Sequence, residues 1–442
     1  MFPTSASLRQ RLLPIALGQA AGLACGVAGV RIATRLVAPG DYGAYGVFVS
    51  CAPLGMWVVH AGLVKFVVRH WAGSPDRAGL WRETIAAAWK KLPWLALAAG
   101  CAAAFVPGGP WRGTAGLLFL AAAALVPAAL GQGALQAQRS HWADLGVAVT
   151  GSVTRSFGPP LCYVAAGGSL AALQAGFAAH ALVFAGAAWW AASRAGRRAA
   201  RAGAAPAATP APAPAAAACV ERPPGRQLTP VFAGPLFVVL ALASWAATAA
   251  NRWIMAGFFG AERAGFFTLA GNVSLIVTSM LGVVFVQYFQ PSFFAAPAVT
   301  AAGRRALAGR VDRVAAGYLA CALAGLGALH AAAPFLTGPL IAETYRGALG
   351  MIVPAGCFMA ALLTAQFFHI LLLAGRCERA CGAVDLTGAA VLVGGGIAAA
   401  ALGGETWFLR WLLVTPAIPW LLNRPMARKR LLAGPVENEG QN

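Results

Sequence analysis

The chain has 442 residues, of which 59% are hydrophobic and only 10% are charged. Soluble domains carry roughly 25% charged residues, so this composition excludes an ordinary water-soluble protein. The formal net charge of +20 would suggest nucleic-acid binding in a soluble chain, but in a membrane protein it reports Lys and Arg in cytoplasmic loops. We therefore expect an integral membrane protein without a nucleic-acid partner.

Apolar runs long enough to cross a bilayer as helices, about 20 residues each, recur twelve times. The predicted spans lie near residues 12–32, 43–64, 88–106, 114–136, 143–166, 169–192, 231–257, 265–288, 314–335, 348–373, 380–402 and 406–423. Runs of this length favour helices, because a backbone in lipid must satisfy its own hydrogen bonds. The sequence predicts an all-α integral membrane protein with about twelve transmembrane helices.

The distribution of Lys and Arg orients these spans. With both termini in the cytoplasm, the inner segments hold 25 of the 33 basic residues, the outer segments hold 7, and Arg155 lies within a span. This asymmetry follows the positive-inside rule. We expect a multi-pass protein with both termini cytoplasmic.

The predicted spans form two sets of six, separated by an Ala/Pro/Arg-rich segment. A weak internal repeat, at an offset of 222 residues, aligns Gly43 with Gly265 and Tyr45 with Phe267. Parallel six-helix repeats are typical of secondary transporters. The predicted domains are an N-terminal six-helix lobe (1–192), a cytoplasmic linker (193–230), a C-terminal six-helix lobe (231–423) and a cytoplasmic tail (424–442).

Short motifs lie around the first connection of each predicted lobe and between the ninth and tenth predicted spans. Residues 31–45 read RIATRLVAPGDYGAY, residues 261–267 read AERAGFF, and residues 343–345 read ETY. In this order and spacing, over nearly the whole chain, they resemble the Wzx-type polysaccharide flippases of the MOP exporter superfamily. The positions that carry the resemblance as structural motif residues are Asp41, Tyr42, Gly43, Tyr45, Gly265, Phe267, Glu343 and Tyr345.

The resemblance implies two pseudo-symmetric helix bundles in a V shape that open alternately to each face of the bacterial inner membrane. It implies transport of an undecaprenyl-pyrophosphate-linked oligosaccharide to the outer leaflet, for O-antigen, capsule or exopolysaccharide synthesis. The implied partners are this substrate, membrane lipid, and the polymerase and chain-length regulator of the same pathway. No cofactor and no bond-making chemistry are implied.

Arg155 is the charged residue near the middle of a predicted span, a position that costs roughly 2.5–3.5 kcal/mol on insertion scales. Such residues usually face a bundle interior or an aqueous cavity, and a guanidinium matches phosphate oxygens by paired hydrogen bonds. Arg155 is therefore a candidate for binding the lipid pyrophosphate. The alternative is a structural arginine bonded to carbonyls freed at the Gly158-Pro159-Pro160 kink.

Further cations lie at the ends of predicted spans. Arg31 and Arg35 share a helix face on the outer side, and Arg252 lies one position from the repeat equivalent of Arg31. Lys65 and Arg69 have the same spacing on the inner side. Together with Arg155 these residues are predicted to form a cationic lining, the alternatives being snorkelling to headgroups and positive-inside anchoring.

A denser inner cluster of four arginines precedes the ninth predicted span. Each is worth about 1 kcal/mol of attraction to anionic lipid near the surface, although topology alone also places arginines there. The cluster comprises Arg304, Arg305, Arg310 and Arg313.

Other polar residues are candidates for ion coupling or a polar cavity. Asp144 and Asp385 begin predicted spans, where an acid also favours the helix dipole. Gln132 and His180 lie within apolar runs, where interhelical hydrogen bonding is the alternative. The nine cysteines form no C-x-x-C pair, so we expect no metal site.

Three function classes fit a chain of this kind. A lipid-linked oligosaccharide flippase is the leading interpretation. A MATE-like antiporter for small molecules or drugs is the alternative, and it would need carboxylates at mid-membrane depth. A membrane glycan polymerase or ligase would need acid–base groups on a sizeable outer loop, whereas the predicted outer connections are short. We therefore do not expect an enzyme.

Overall fold

A computed structural model describes residues 5–70, 77–91, 93, 96, 115–138, 140–203, 235–294, 300–375 and 377–433. In these residues the chain is almost entirely helical, which confirms the predicted all-α membrane fold class. The first half contains α1 (Ser5–Leu36), α2 (Pro39–His70), α3 (Arg77–Trp89), α4 (Ala115–Ala137), α5 (His141–Ala165) and α6 (Leu170–Gly203). The second half contains α7 (Pro235–Phe294), α8 (Ala301–Leu336), a 3-10 helix (Glu343–Met351), α9 (Ile352–Ala374), α10 (Glu378–Val414), a π-helical turn (Pro419–Asn423) and α11 (Arg424–Ala433).

Two of the helices bend at a single glycine. α7 has 60 residues, and a straight helix of that length would measure about 90 Å, three times the hydrocarbon core of a bilayer. Its backbone turns at Gly260 (φ 86°), and that of α10 turns at Gly404 (φ 67°). Positive φ is open to glycine without a steric penalty. Each bend therefore joins two of the predicted spans, the seventh to the eighth and the eleventh to the twelfth.

Seven helices in the described ranges are long and apolar enough to cross a membrane. Most predicted spans fall on described helices, including both arms of α7 and of α10. The third predicted span, near 88–106, lies largely outside the described residues, as does most of the predicted linker. The start of that linker continues α6 as far as Gly203.

The chain divides into two compact units that interleave along the sequence. The first comprises Met1–Gly22, Ala52–Pro159 and Gln174–Val238, and the second comprises Leu23–Cys51, Pro160–Leu173 and Val239–Asn442. The end of α1 and the start of α2 thus belong to the same unit as the second half of the sequence. Residues that are far apart in the chain are therefore close in space within the second unit.

The first unit has a core of small and branched side chains. Leu63 of α2 packs with Val126 and Leu130 of α4. A methyl group added at Gly131 would lie 2.9 Å from the carbonyl oxygen of Ala188, so α4 and α6 approach closely there. Small residues at such crossings let helix backbones meet in a membrane protein.

The second unit has two larger cores that are rich in aromatic residues. One contains Met255, Leu269, Tyr345 and Phe408, all fully buried. The other lies between α8 and α9, where Tyr318 packs against Phe367 and Phe368. Since the first of these cores includes the residues that follow α1, it holds the short motifs of both sequence halves in one place.

Candidate functional site

The repeat-related glycines of the two sequence halves meet within the second unit. A methyl group at Gly43 would overlap the carbonyl oxygen of Ala261, and one at Gly265 would overlap the carbonyl oxygen of Pro39. The start of α2 and the second arm of α7 thus cross with their backbones in direct contact. Their alignment was predicted from the sequence, but their contact was not.

Two tyrosines lie beside this crossing. The Tyr42 hydroxyl accepts a hydrogen bond from Asn272 Nδ2 at 2.9 Å, and the Tyr345 hydroxyl donates to the carbonyl of Val37 at 2.9 Å. The two rings pack edge to face with centroids 6.0 Å apart, a favourable aromatic geometry. Tyr45 packs 6.1 Å from Tyr42 on the same side.

A third hydrogen bond extends the cluster to α5. The Tyr163 hydroxyl donates to Asp41 Oδ2 at 2.8 Å. Hydrogen bonds to a charged acceptor are stronger than neutral ones, so this one ties the end of α5 to the start of α2. We call the whole cluster the Tyr42 junction; it comprises Val37, Asp41, Tyr42, Gly43, Tyr163, Gly265, Asn272 and Tyr345.

The end of α1 is held to the segment after α8. The backbone N–H of Ala342 donates to Thr34 Oγ1 at 3.4 Å, and Arg35 Nη2 donates to the carbonyl of Gly338 at 3.5 Å. Arg31, one turn earlier, is exposed. Of the arginines predicted to line a cationic cleft, Arg35 therefore donates to a backbone carbonyl. Arg252 is half-buried in α7.

Ser50 of α2 is a further polar contact with α7. Its hydroxyl accepts from Trp253 Nε1 at 3.0 Å, and its carbonyl accepts from Trp245 Nε1 at 2.7 Å. Phe267 is buried against Phe408, with ring centroids 6.2 Å apart. The aromatic residue of the second repeat is thus a core residue in the structure.

Sequence reasoning missed Tyr163, Asn272 and Ser50 as members of this region. Asn272 had a usable signal, since it is a polar residue inside an apolar run. The Asp41–Tyr163 pair had no signal in the sequence, because the two residues are 122 positions apart.

Arg155 lies in the first unit, in the middle of α5, and its side chain is exposed. No residue in the described part of the chain forms a hydrogen bond or ion pair with its guanidinium. Its charge does interact with the neighbouring His180 of α6. The Arg155 side chain is thus an exposed cation in the middle of a helix.

His180 is a buried imidazole beside Arg155. Its Nδ1 is hydrogen-bonded to Thr154 Oγ1 at 2.8 Å, and its ring packs between Phe177 and Phe184 at 5.5 and 5.8 Å. Gln174, also on α6, is fully buried, and neither polar atom of its amide has a hydrogen-bond partner among the described residues. The interior of this unit thus contains a hydrogen-bonded imidazole and a buried amide.

The predicted coupling acids have different surroundings. Asp385 Oδ2 of α10 lies 2.7 Å from His369 Nδ1 of α9. The two side chains are 16% and 15% exposed, respectively. Asp144 lies in the first turn of α5, and its Oδ1 atom is buried without a hydrogen-bond partner in the described ranges. The pairing of Asp385 with His369 was not predicted from the sequence.

The other predicted site residues are less informative. Lys65 and Arg69 lie in α2, but their side chains are outside what the structure describes. Gln132 is half-buried in α4. Glu343 is exposed, 3.9 Å from Arg346. Within the described residues, no group of three or more His, Cys, Asp or Glu side chains is arranged to hold a metal ion.

No family model and no curated protein match the sequence of this chain. Its fold is similar to a structure of the lipid II flippase MurJ in an inward closed conformation, with a TM-score of 0.61 at 9% identity, covering 95% of this chain and 86% of that one. It is also similar to an inward-facing multidrug resistance MATE family transporter of the MOP superfamily (TM-score 0.52, 13% identity, 96% and 97% covered). A MATE in complex with MaL6 gives a TM-score of 0.55 at 13% identity, with 95% of each chain covered. The chain is therefore a multi-pass helical membrane protein with the fold of MOP transporters.

Proposed function

We propose that this protein is a flippase that moves an undecaprenyl-pyrophosphate-linked oligosaccharide from the inner to the outer leaflet of the bacterial inner membrane. The product would supply surface polysaccharide synthesis as O-antigen, capsule or exopolysaccharide. The exposed guanidinium of Arg155, with no hydrogen-bonding or ion-pairing partner among the described residues, is the observation that carries this proposal. The protein makes and breaks no covalent bond in this role.

Arg155 suits a pyrophosphate ligand for electrostatic reasons. A cation within a membrane span is costly unless an anion or water stabilises it, and its planar guanidinium donates paired hydrogen bonds to phosphate oxygens. Thr154 and the buried imidazole of His180 hold the adjacent surface of α5 and α6 in place. In the proposal Arg31, Arg35, Arg252, Lys65 and Arg69 complete a cationic lining.

The Tyr42 junction serves as the outer gate of the proposed transporter. The charge distribution of the sequence assigns this end of α1 and α2 to the outside. Three hydrogen bonds there join α2 to α5, α2 to α7, and Val37, the residue after α1, to the 3-10 helix, and each contributes about 1 kcal/mol. Opening outward would require these bonds to break, so substrate binding must offset a few kcal/mol. The two moving bodies are proposed to be the lobes 1–192 and 231–423.

Transport of this substrate does not require ion coupling. An anion that leaves a negative interior gains about 2.3 kcal/mol per charge per 100 mV if it crosses the full field. If the flippase is coupled, the His369–Asp385 pair is the proposed proton site, because it places a base and an acid 2.7 Å apart with little exposure.

The decisive experiment is mass spectrometry of lipid-linked sugars in the native host with and without the gene, with polymer initiation restricted to keep the deletion viable. Accumulation of one undecaprenyl-pyrophosphate oligosaccharide, together with loss of surface polymer, would support the proposal and identify the sugar. An unchanged lipid pool with intact surface polymer, in a host without a second such gene, would overturn it.

A MATE-like antiporter is the second candidate, since two MATE structures share this fold over at least 95% of the chain. Such a function would use carboxylates to bind a cationic drug or proton. Asp385 is the described carboxylate best placed for this, but it is already paired with His369. Resistance to cationic drugs on expression in a sensitive host, lost in Asp385→Asn, would favour this candidate over the flippase.

A further inference from the structure

The C-terminal helix α11 is held against α8 by a carboxylate that binds two arginines. Asp312 Oδ2 accepts from Arg424 Nε at 3.1 Å and from Arg424 Nη2 at 3.0 Å, and it lies 3.3 Å from Arg428 Nη1. The Arg424 guanidinium also lies 5.5 Å from the ring centre of Trp420. Paired hydrogen bonds between arginine and carboxylate fix geometry as well as contributing energy, so α11 has a defined position on α8.

The apolar side of α11 completes this attachment. Ala427 and Leu431 are fully buried, and the side chain of Leu431 fills the space where a methyl group on Gly375 would lie. Lys429, Arg430 and Leu432 are exposed on the other side. The helix is therefore amphipathic, with Lys429 and Arg430 directed away from the protein core.

The last turn of α11 and the first turn of α8 come together at Cys377. The thiol of Cys377 lies 3.8 Å from the carbonyl oxygen of Arg430. The Arg304 guanidinium is close enough to interact electrostatically with the same thiol. Arg305, the next residue, is exposed. Two helices that are distant in sequence thus contribute cations to one surface.

This surface has a large excess of positive charge. Residues 301–313 and α11 together contain eight basic residues and one acidic residue, Asp312. The positive residues form what we call the basic patch: Arg304, Arg305, Arg310, Arg313, Arg424, Arg428, Lys429 and Arg430. A single carboxylate offsets only a small part of this charge, so the patch remains strongly positive.

The position of Arg304 and Arg305 adds a second reason to expect an anion. Both lie in the first turns of α8, whose N-terminal cap is Thr300, accepting from the N–H of Gly303 at 3.0 Å. The positive end of a helix dipole is favourable for anions and unfavourable for cations. An anion bound beside this turn would compensate both the helix end and the two guanidinium groups.

We infer that the basic patch binds the headgroup phosphate of anionic phospholipid in the leaflet beside it. The patch lies at the ends of membrane-spanning helices, on the side that the charge distribution assigns to the cytoplasm. Leu421 and Leu432, which flank it, are exposed apolar side chains that can contact acyl chains. A diacyl lipid matches this combination of cations and apolar surface better than a free phosphate ion.

Native mass spectrometry of the full-length protein tests this inference. The protein is reconstituted with equal amounts of phosphatidylglycerol and phosphatidylcholine, and the lipids retained are counted. We expect preferential retention of phosphatidylglycerol. In the double variant Arg305→Gln/Arg430→Gln its affinity should fall about thirtyfold, since each cation near an anionic surface contributes about 1 kcal/mol.

The matched control is the double variant Arg346→Gln/Arg410→Gln, which removes the same charge from exposed positions elsewhere in the second unit. It should retain phosphatidylglycerol as the unmodified protein does. Equal loss in both variants would show attraction to overall charge and overturn the site. Displacement of the lipid by inorganic phosphate at equal concentration would assign the patch to a free anion and also overturn the inference. Neither result depends on which substrate is transported.

Discussion

The Tyr42 junction and the surroundings of Arg155 use polar residues in opposite ways. In the junction, the hydroxyls of Tyr42, Tyr163 and Tyr345 each have a partner within 2.9 Å, and the side chains are buried or half-buried. Around Arg155 the described residues offer no hydrogen bond to the guanidinium, which is exposed. The polar groups that hold the helices together thus have partners within the protein, whereas the proposed ligand-binding group has no hydrogen-bond partner among the described residues.

The most damaging change should be Gly43→Val. A branched side chain there would overlap the backbone of α7 at Ala261 and Gly265, and overpacking of this kind costs about 3 kcal/mol. We expect a large drop in the thermal unfolding temperature of the purified protein and loss of transport. Gly40→Val is the matched control, since a methyl group at Gly40 meets no atom within 4 Å. If the two variants unfold alike, the helix crossing is not what stabilises the junction.

Arg155→Ala should have the next largest effect, on ligand binding alone. Loss of hydrogen bonds to a charged phosphate, about 2 kcal/mol, predicts about a thirtyfold weaker affinity for undecaprenyl pyrophosphate and a matching loss of transport. The unfolding temperature should not change, and Arg155→Lys should keep part of the activity. A destabilised Arg155→Ala protein with normal affinity would instead assign this arginine to the carbonyls near Gly158.

Tyr345→Phe should have a smaller effect that is specific to the junction. It removes the hydrogen bond to the Val37 carbonyl and leaves that buried acceptor unpaired, which costs about 1 kcal/mol. Outward opening should become about fivefold more populated, as measured by labelling of a cysteine introduced at Gly40. Tyr288→Phe, at an exposed tyrosine, is the control. Unchanged labelling in Tyr345→Phe would show that the Tyr42 junction does not act as the outer gate.

Asp41→Asn should have the smallest effect, because the amide oxygen can still accept from Tyr163. Since Asp41 is only half-buried, we expect a loss of about 0.5 kcal/mol in the free energy of unfolding. A double-mutant cycle with Tyr163→Phe, followed by chemical denaturation, would measure the coupling between the two side chains. A coupling of zero would mean that the 2.8 Å contact contributes nothing to the junction.

Composition and periodicity were sufficient for the fold class, because apolar runs longer than 18 residues are seldom found outside membrane-spanning helices. The same reasoning found Gly43 and Gly265 as equivalent positions, since a repeat is visible in sequence. It did not find Asn272 and Tyr163, because partners on other helices depend on helix packing, which no local pattern specifies. The His369–Asp385 pair was missed for the same reason, although Asp385 had been noted individually.

The bend at Gly260 has a consequence for the rotational phase of the helix that follows it. Because the turn consists of one residue, it cannot absorb a change in chain length. Every side chain from residue 261 to 294 therefore keeps a fixed angular position around the helix axis relative to the side chains before the bend. Inserting one residue after Gly260 would rotate the second arm by about 100°. Gly265 would then leave the face that meets Gly43, and Ala264 would take its place, with a methyl group that overlaps the carbonyl oxygen of Pro39. We therefore expect an insertion or deletion at this connection to disrupt the helix packing far more than a substitution does.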